Sequence, residues 1–421
     1  MQGEKRYEPV IRFFTEETKV LSCMSIACGT KDRACFACGG TADLSGRPVG
    51  EDSVFDLASL TKLFTGLLLM RLHERGEIDL DAPVTRYAPA FRNLSDLTVR
   101  QTAWFERAVR TPERIDQAST REEALARLFA ATAEENGLRP YSDMPAMVIK
   151  YVLEGAGGAS YMDLLRREIL APLGMEETFC LVPKELRPRC VSTDREHRIE
   201  QGRYILRDGV APGTPHDPKA RILSPEGEDC PGHAGLFSTA GDMIRLCQGV
   251  LAGKVVSASS LRMMAENHVG RPLPGGGFSQ CLGCLCYVRH PDQHFSETPV
   301  FMSDTALGLS GFSGNHLALD PERGVFEFYL GSRVLNRLSV LVPKPGETIR
   351  DYGLNGDGTG AVLWPDGEKV LSSVQYVYLK DEHLHPVTEK LLDNLRREPV
   401  VPHPFQPMNR GKSDEIRRIH L

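Results

Sequence analysis

A serine and a lysine lie one helical turn apart at the start of an apolar segment, where they could form an activated nucleophile. They are Ser59 and Lys62, and the apolar segment runs from Leu63 to Leu72 before Gly76, which predicts a helix end. A helix that is apolar on nearly every face belongs in a protein interior. At this spacing the two side chains share one face, with the hydroxyl at the positive end of the helix dipole. We therefore expect partial desolvation to lower the pKa of Lys62, so that its amine accepts the serine proton.

A second motif that could support this chemistry is Tyr141-Ser142-Asp143, in a turn before a predicted helix. A tyrosine hydroxyl beside a lysine ammonium can relay protons to a leaving group, so Tyr141 is a candidate catalytic residue. Asp143 could orient the lysine or a substrate amide. The alternative is ordinary turn chemistry, because this tripeptide also suits the start of a helix.

A third motif, Gly308–Gly314, reads Gly-Leu-Ser-Gly-Phe-Ser-Gly and falls between predicted strands. Its glycines would let a strand edge approach a ligand closely. The backbone N–H groups of Phe312 and Ser59 could then form an oxyanion hole for a tetrahedral intermediate. The alternative is a glycine-rich turn that only connects two strands.

Length and composition exclude several classes of protein. The 421 residues allow roughly two domains or subdomains. A net charge of -6 and a pI near 6.1 give no basic surface for nucleic acid. No apolar run reaches about 18 residues, the length of a membrane span. Because the first residues contain no apolar stretch typical of a signal peptide, we expect a cytoplasmic protein.

Eleven cysteines, an odd number, favour free thiols in a reducing compartment over a disulfide framework. Cys35 with Cys38, and Cys281 with Cys284 and Cys286, resemble halves of a zinc site. Both groups fall in segments that read as strands, where positions three apart point to opposite faces. We therefore expect buried cysteines that act as small apolar residues, with zinc binding as the alternative.

The hydrophobic pattern places strands towards both ends of the chain and helices between them. The predicted strands are Lys19–Cys28, Arg33–Thr41, Gln280–Arg289, Thr305–Leu309, Asn315–Asp320 and Val325–Leu330. Besides the helix that follows Ser59, the predicted helices are Glu4–Thr18, Leu97–Val109, Thr120–Ala133, Met144–Glu154, Ser160–Ile169, Thr239–Leu251, Ser257–Asn267 and Pro386–Arg397. The segment Arg187–Glu228 is polar and rich in proline and glycine, which indicates a long surface excursion.

These elements predict an α/β protein with one antiparallel sheet built from both chain ends and flanked by helices. Residues 1–85 and 280–421 would form the sheet subdomain, with the Ser59 helix at its junction. Residues 86–279 would form a mostly helical subdomain. A cleft between the two is the natural place for an active site.

In order and spacing, the three motifs resemble those of the serine β-lactamase and penicillin-binding-protein superfamily. The resemblance is strongest to the branch of class C β-lactamases, D-alanyl-D-alanine carboxypeptidases and family VIII carboxylesterases. Further segments that resemble members of this branch are Phe55–Lys62, Leu164–Met175, Gly232–Thr239 and Gly311–Gly314, followed by Asp320-Pro321-Glu322.

The resemblance implies the β-lactamase/transpeptidase fold and an acyl-enzyme mechanism without a metal or organic cofactor. Ser59 would attack a carbonyl, Lys62 would be the general base and Tyr141 would assist proton transfer. The oxyanion would lie between the amides of Ser59 and Phe312. The remaining substrate contacts implied at matching positions are Asp143, Leu309, Ser310 and Gly311.

One departure from the family pattern affects the substrate. In β-lactamases and carboxypeptidases of this branch the third motif begins with a cation that binds the substrate carboxylate, whereas this chain has Leu309. Leucine supplies no charge, which favours neutral ester or amide substrates, as in the esterases of the branch. Arg333 or Arg114 could replace the missing cation.

A second departure lies in the loop Thr102–Ala108, which differs from relatives near the cleft and predicts a reshaped site. Trp104 and Trp364 could line that cleft or simply pack. A Ser-His-Asp triad built from His233 and the His216-Asp217 pair is a weaker alternative, because nothing in the family requires it.

Three functions remain open from the sequence. The first is a serine hydrolase of esterase or amidase type that acts on a small ester, amide or peptide. The second is a β-lactamase or D-amino-acid peptidase with another anchor for the carboxylate. The third is a catalytically silent binding or sensor protein on the same fold. The sequence predicts no nucleic-acid partner and leaves the oligomeric state open.

Overall fold

The computed structural model describes residues 4–18, 20–137, 139–193, 195–200, 203–224, 229–291, 293, 296–335, 362–363, 369–370 and 380–397. Most of the 340–370 segment, whose role the sequence leaves open, lies outside this range. No helix within the described range combines the length and the apolar character that crossing a bilayer requires.

A five-stranded antiparallel sheet is built from both ends of the chain, which confirms the sequence prediction. Its strands, in order across the sheet, are Ala34–Gly40, Cys23–Thr30, Val325–Gly331, Asn315–Asp320 and Leu307–Gly311. The third motif therefore begins on a strand at the edge of this sheet, where Gly308 makes an isolated pairing with Tyr287.

The two faces of the sheet are covered by different parts of the chain, since successive side chains on a strand point to opposite faces. Leu309 and Leu317 face the main hydrophobic core, which holds the helices from the middle of the chain. The outer face is covered by residues of the first helix and of His385–Arg397, with a smaller core of its own.

The nucleophile helix, Thr61–Glu74, lies within the main core and packs against the helix Met144–Gly157. The apolar residues between Leu63 and Leu72 are all buried, as the sequence predicts. Burial of each large apolar side chain contributes about 1.5–3 kcal/mol relative to exposure. A short 3-10 turn, Ala58–Leu60, precedes the helix and carries Ser59.

Helices fill the middle of the chain. The other α-helices are Glu8–Arg12, Val99–Ala103, Arg121–Phe129, Tyr161–Leu165, Ala171–Leu173, Pro218–Leu223, Ala240–Leu251 and Ala258–Met264. The other 3-10 and π turns are Glu4–Arg6, Phe13–Glu17, Val84–Arg86, Arg92–Leu94, Ile115–Gln117, Arg166–Leu170, Arg187–Arg189 and Lys380–Leu384. The division into two subdomains at residues 86 and 279 stays a prediction.

Among the described residues, four strand pairs lie outside the main sheet. They are Phe55–Asp56 with Phe237–Ser238, Ala108–Arg110 with Thr132–Glu134, Arg195–Glu200 with Arg203–Asp208, and Val362–Leu363 with Lys369–Val370. The first pair lies directly before the turn that holds Ser59, so it fixes the entry to the nucleophile helix.

Two predicted elements are wrong. The segment Gln280–Arg289 is not a strand, because the N–H groups of Cys284 and Leu285 turn towards carbonyls of the helical region. Leu285 also has a positive φ of 53°. The predicted helix Leu97–Val109 ends early, since Phe105 has a positive φ of 57°, which breaks a right-handed helix.

The polar segment Arg187–Glu228, predicted to be a surface excursion, returns to the protein interior. After its hairpin it forms the helix Pro218–Leu223, which Asp217 caps by accepting from the N–H of Ala220. The N–H of His216 donates to buried Asp56, next to the Ser59 turn. The segment Arg187–Glu228 therefore contributes residues that lie near Ser59.

Candidate active site

The turn that holds Ser59 is strained and is fixed by a buried carboxylate. Ala58 has a positive φ of 45°, a conformation that costs a non-glycine residue of the order of 1–2 kcal/mol. Asp56 offsets this cost: one carboxylate oxygen accepts from the N–H of Ala58 at 2.8 Å, and the other accepts from the N–H of His216 at 2.7 Å. The sequence analysis missed Asp56, although a lone aspartate in an apolar strand is a visible signal.

Lys62 is completely buried and its Nζ has three hydrogen-bond acceptors. It donates to Ser59 Oγ at 2.9 Å, to Asp143 Oδ1 at 2.7 Å and to the carbonyl oxygen of His233 at 3.2 Å. Three acceptors match the three N–H groups of an ammonium. The structure therefore brings together Ser59, Lys62 and Asp143, as the sequence predicts.

The expected direction of the Lys62 pKa is wrong. Burial does lower the pKa of Lys62, but the adjoining Asp143 carboxylate, followed by Tyr141, outweighs burial and raises this pKa above its ordinary value. Lys62 is therefore protonated in the resting site, and it holds the oxygen of Ser59 rather than its proton. The reason lies in Asp143, whose charge the spacing of Ser59 and Lys62 does not reveal.

Tyr141 lies beside the lysine, within a stack of aromatic rings. Its ring centroid is 5.2 Å from Lys62 Nζ, 5.6 Å from the ring of Phe105 and 4.7 Å from the ring of Tyr287. Its hydroxyl is buried and has no aligned hydrogen-bond partner among the described residues. Because Phe105 belongs to the unusual loop 102–108, that loop does shape the site.

The third motif is tied to the Ser59 turn by hydrogen bonds. The Ser313 hydroxyl and the Asn315 amide both donate to the carbonyl oxygen of Asp56, at 2.9 and 2.7 Å. A Cβ on Gly311 would lie 2.9 Å from the carbonyl oxygen of Leu57, so only glycine allows this approach. The N–H groups of Ser59 and Phe312 thus lie on two segments that are joined, as an oxyanion hole requires.

Phe312 lies exposed at this edge, with 49% of its surface accessible. The ring of His216 stacks on it at 5.3 Å, and the guanidinium of Arg333 lies 5.5 Å from its ring centroid. Arg114, the other candidate to replace the missing cation, pairs with Asp116 on the surface. Of the two arginines, Arg333 is therefore the one whose contacts place it at the third motif.

The two residues that precede Gly311 do not both face the nucleophile. Leu309 is buried in the main core, on the same face as the nucleophile helix. Ser310 points to the outer face, where its hydroxyl donates to the carboxylate of Glu297. The Ser310 side chain therefore faces away from Leu309, because side chains alternate along the strand, and the role of Ser310 in substrate binding stays a prediction.

A second ammonium lies near the nucleophile and was missed by the sequence analysis. Lys219 Nζ is 2.9 Å from Asp143 Oδ2 and 3.2 Å from Asp217 Oδ2. Burial alone would raise the pKa values of Asp143 and Asp217, but the neighbouring positive charges hold both well below the ordinary value. Lys62, Asp143, Lys219 and Asp217 thus form a line of alternating charge.

The histidine alternative is not favoured by the contacts. The His233 ring pairs with Asp217 at 2.9 Å, whereas the side chain of Ser59 accepts a hydrogen bond from Lys62. His233 contacts Lys62 through its backbone carbonyl oxygen. Asp143, Asp217 and His233 lie close enough to share a metal ion. Since both carboxylates already contact ammonium groups, this arrangement does not fit a metal site.

All eleven cysteines are free thiols. Burial raises the pKa of Cys281 to about 11 and that of Cys286 to about 12, which keeps these thiols protonated. Within the described part of the chain, the groups of side chains close enough to share a metal ion contain no cysteine. The interpretation of these cysteines as small apolar side chains is therefore better supported than the zinc-site alternative.

Trp104 is completely buried and its ring packs against that of His268 at 5.5 Å, while Trp364 lies outside the described residues. Trp104 therefore packs in the core and does not line the surface of the cleft.

Comparison with known proteins identifies relatives of this chain. A family model described as Beta-lactamase matches residues 14–338. A segment of 54 residues is 56% identical to the esterase EstB of Burkholderia gladioli, over 13% of this chain and 14% of the esterase. This match spans only a small part of the length of that relative.

Two longer matches cover most of the chain at lower identity. The protein of Salmonella gallinarum named "Putative D-alanyl-D-alanine carboxypeptidase" is 24% identical over 306 residues, which cover 67% of this chain and 70% of that protein. The solved structure of EstCE1, described as a hydrolase with promiscuous acyltransferase activity, superposes with a TM-score of 0.60 at 20% identity. The superposition covers 78% of this chain and 92% of the EstCE1 chain, and it shows that the two proteins share a fold.

Proposed function

The chain belongs to the β-lactamase family of serine hydrolases, and from that premise we propose that it hydrolyses small neutral carboxylic esters through an acyl-enzyme on Ser59. The observation that carries the proposal is the 2.9 Å hydrogen bond between Lys62 Nζ and Ser59 Oγ in a buried site. A catalytically silent protein has no chemical need for this contact, which argues against the binding or sensor alternative.

The contacts of Lys62 with Ser59 and with the ring of Tyr141 support the following proton transfers during acylation. Lys62 first gives up one ammonium proton to solvent water, and its amine then accepts the proton of Ser59 as the serine oxygen attacks the carbonyl carbon. The Tyr141 hydroxyl gives its proton to the departing alcohol, and Lys62 returns a proton to Tyr141. The N–H groups of Ser59 and Phe312 stabilise the negative oxygen of the intermediate. Water then attacks the acyl group and the same transfers run in reverse.

The neutral character of the substrate rests on Leu309. Relatives that bind a carboxylate carry a cation at this position, whereas here an apolar side chain is buried in the core. A neutral acyl group therefore fits this side of the site better than an anionic one. Amides and small peptides follow the same chemistry, with an amine as the leaving group.

The test is steady-state hydrolysis of p-nitrophenyl butyrate by the wild type and by Ser59→Ala. We expect the substitution to lower kcat/KM by at least about 10³-fold. Ser95→Ala, on an exposed serine, is the control and should keep wild-type activity. Unchanged hydrolysis by Ser59→Ala would sink the proposal.

A second candidate function, a D-amino-acid peptidase, is favoured by the position of Arg333 beside Phe312. Its guanidinium could bind a substrate carboxylate in place of the missing cation. If so, Arg333→Gln should lower kcat/KM for a D-Ala-D-Ala peptide by about tenfold or more while hydrolysis of the neutral ester stays constant. Arg114→Gln, at the surface ion pair, is the matched control.

The eleven free cysteines further support a reducing compartment, and we infer a cytoplasmic location from them.

A further inference from the structure

A second cluster of titratable side chains lies on the outer face of the sheet. It consists of His316 on the strand Asn315–Asp320, Glu327 on the strand Val325–Gly331 and His385 at the start of the last helix. All three residues are buried. One ring nitrogen of each histidine and one carboxylate oxygen lie within 4.8 Å of one another. The proposed hydrolysis uses none of them.

The atoms that face each other in this cluster have no aligned hydrogen-bond partners within the described residues. They are His316 Nε2, His385 Nδ1 and both carboxylate oxygens of Glu327. His385 Nδ1 lies 2.6 Å and His316 Nε2 lies 3.7 Å from Glu327 Oε1, so the atoms are close without the geometry of hydrogen bonds. Buried polar atoms are nearly always paired. Three that lie within 4.8 Å of one another, one from each residue, indicate a ligand that they share.

The outer nitrogens of both rings contact polar groups, so that the inner nitrogens face Glu327. His316 Nδ1 lies 3.3 Å from the Ser310 hydroxyl and 3.5 Å from Lys380 Nζ. His385 Nε2 lies 3.5 Å from Asp381 Oδ1. Such outer partners typically orient histidines that bind metal ions.

The charges around the cluster also call for a cation. Two buried carboxylates, Glu297 and Glu327, face the ammonium of Lys380, which lies 3.0 Å from Glu297, and Asp381 adds a carboxylate whose side chain is 39% exposed. With neutral rings, the buried groups sum to an excess of one negative charge. Burying uncompensated charge is costly, and a divalent cation would offset it.

We propose that His316, Glu327 and His385 bind a divalent transition-metal ion of the zinc type. Two imidazoles and one carboxylate are ligands that such ions prefer, at about 2.0–2.2 Å from the metal. The ion would join the last helix to two strands of the sheet and thus stabilise the fold. Through Ser310 it would also support the edge strand that leads to Phe312.

The test is a thermal melting experiment with zinc chloride on full-length protein freed of metal by a chelator. We expect one zinc ion to bind per chain and to raise Tm by more than about 2 °C. His385→Gln should abolish this rise. His383→Gln is the matched control, because His383 lies in the same segment with 40% of its side chain exposed, and it should keep the rise.

Cobalt substitution separates this site from the cysteines, which could also bind zinc. Cobalt bound by two imidazoles and a carboxylate gives visible d–d bands without a sulfur-to-cobalt charge-transfer band. A wild-type Tm that does not respond to zinc, a rise that persists in His385→Gln, or a sulfur charge-transfer band would each overturn the proposal. If His385→Gln does not fold, the stoichiometry and the cobalt spectrum of the wild type decide.

Discussion

Lys62 has three acceptors around its Nζ, and this environment determines how Ser59 can be activated. Burial favours the neutral amine, whereas the Asp143 carboxylate favours the ammonium and is the stronger influence. Attack by Ser59 requires the amine. Catalysis by this site should therefore increase as the pH rises towards the raised pKa of Lys62.

Asp143→Asn tests this relation directly. The amide oxygen can still accept a hydrogen bond from Lys62, but the negative charge that raises the lysine pKa is gone. We expect the alkaline rise of kcat/KM for a neutral ester to move to lower pH by about 1–3 units. The measurement is a pH–rate profile, with Asp163→Asn, at the surface, as control. A profile that stays in place or moves to higher pH would contradict this account of the lysine.

At the scale of single residues, the sequence predicted the contact between Ser59 and Lys62 because their spacing alone fixes it on a helix. It could not predict the direction of the lysine pKa, since Asp143 comes from a loop distant in the chain. It also missed Asp56: an aspartate in an apolar strand is visible in the sequence, but its two N–H partners, those of Ala58 and His216, are not.

The element that matters most for the site is the edge strand Leu307–Gly311, which approaches the Ser59 turn at Gly311. The approach is close because no side chain intervenes. A Cβ at this position would lie 2.9 Å from the Leu57 carbonyl oxygen and 3.0 Å from Asn315 Nδ2. Both groups are held in place by other hydrogen bonds, so the strand would have to move instead.

Gly311→Ala should therefore shift the strand away from the nucleophile and misplace the N–H of Phe312. We expect kcat/KM for a neutral ester to fall by about 10- to 100-fold, because small displacements of catalytic groups are costly. Gly275→Ala is the control, since nothing lies within 4 Å of a Cβ there. Equal activity of the two variants would show that the close approach has no catalytic role.

At the scale of elements, alternation of polar and apolar residues predicted four of the five sheet strands closely and the apolar nucleophile helix. The same rule failed for Gln280–Arg289, where the N–H groups of Cys284 and Leu285 bond to the helical region and Tyr287 makes an isolated pairing with Gly308. It also missed the outward direction of Ser310, which depends on the register of the strand.

Across the whole molecule, the segment Arg187–Glu228 joins distant parts of the chain through charge. It places Asp217 and Lys219 beside Asp143 and His233, so three separate regions meet at one line of ion pairs. The sequence could not predict this, because a polar segment rich in proline and glycine reads as surface. The pairing shows only once the chain is folded.

This line of charges should make stability depend on pH. The pKa values of Asp143 and Asp217 are lower in the folded protein than the unfolded value of about 3.9. Their contribution is therefore complete above that value and is lost as the pH falls through the folded pKa. Asp217→Asn, which can still cap its helix, should lower Tm at pH 7 and show a smaller loss of Tm between about pH 4 and pH 2.

The measurement is the Tm of the wild type and of Asp217→Asn across this pH range, with Asp163→Asn again as the surface control. Parallel curves for the wild type and Asp217→Asn would show that Asp217 contributes no pH-dependent stability.

The most direct measurement of the central claim is intact-protein mass spectrometry after brief exposure to p-nitrophenyl butyrate, with benzylpenicillin in parallel. The account predicts a butyryl adduct on the wild type, or rapid turnover of the ester, and neither in Ser59→Ala. It also predicts no adduct with benzylpenicillin, because Leu309 supplies no cation. An ester adduct that persists in Ser59→Ala would contradict Ser59 as the nucleophile, and acylation by penicillin alone would contradict the neutral substrate.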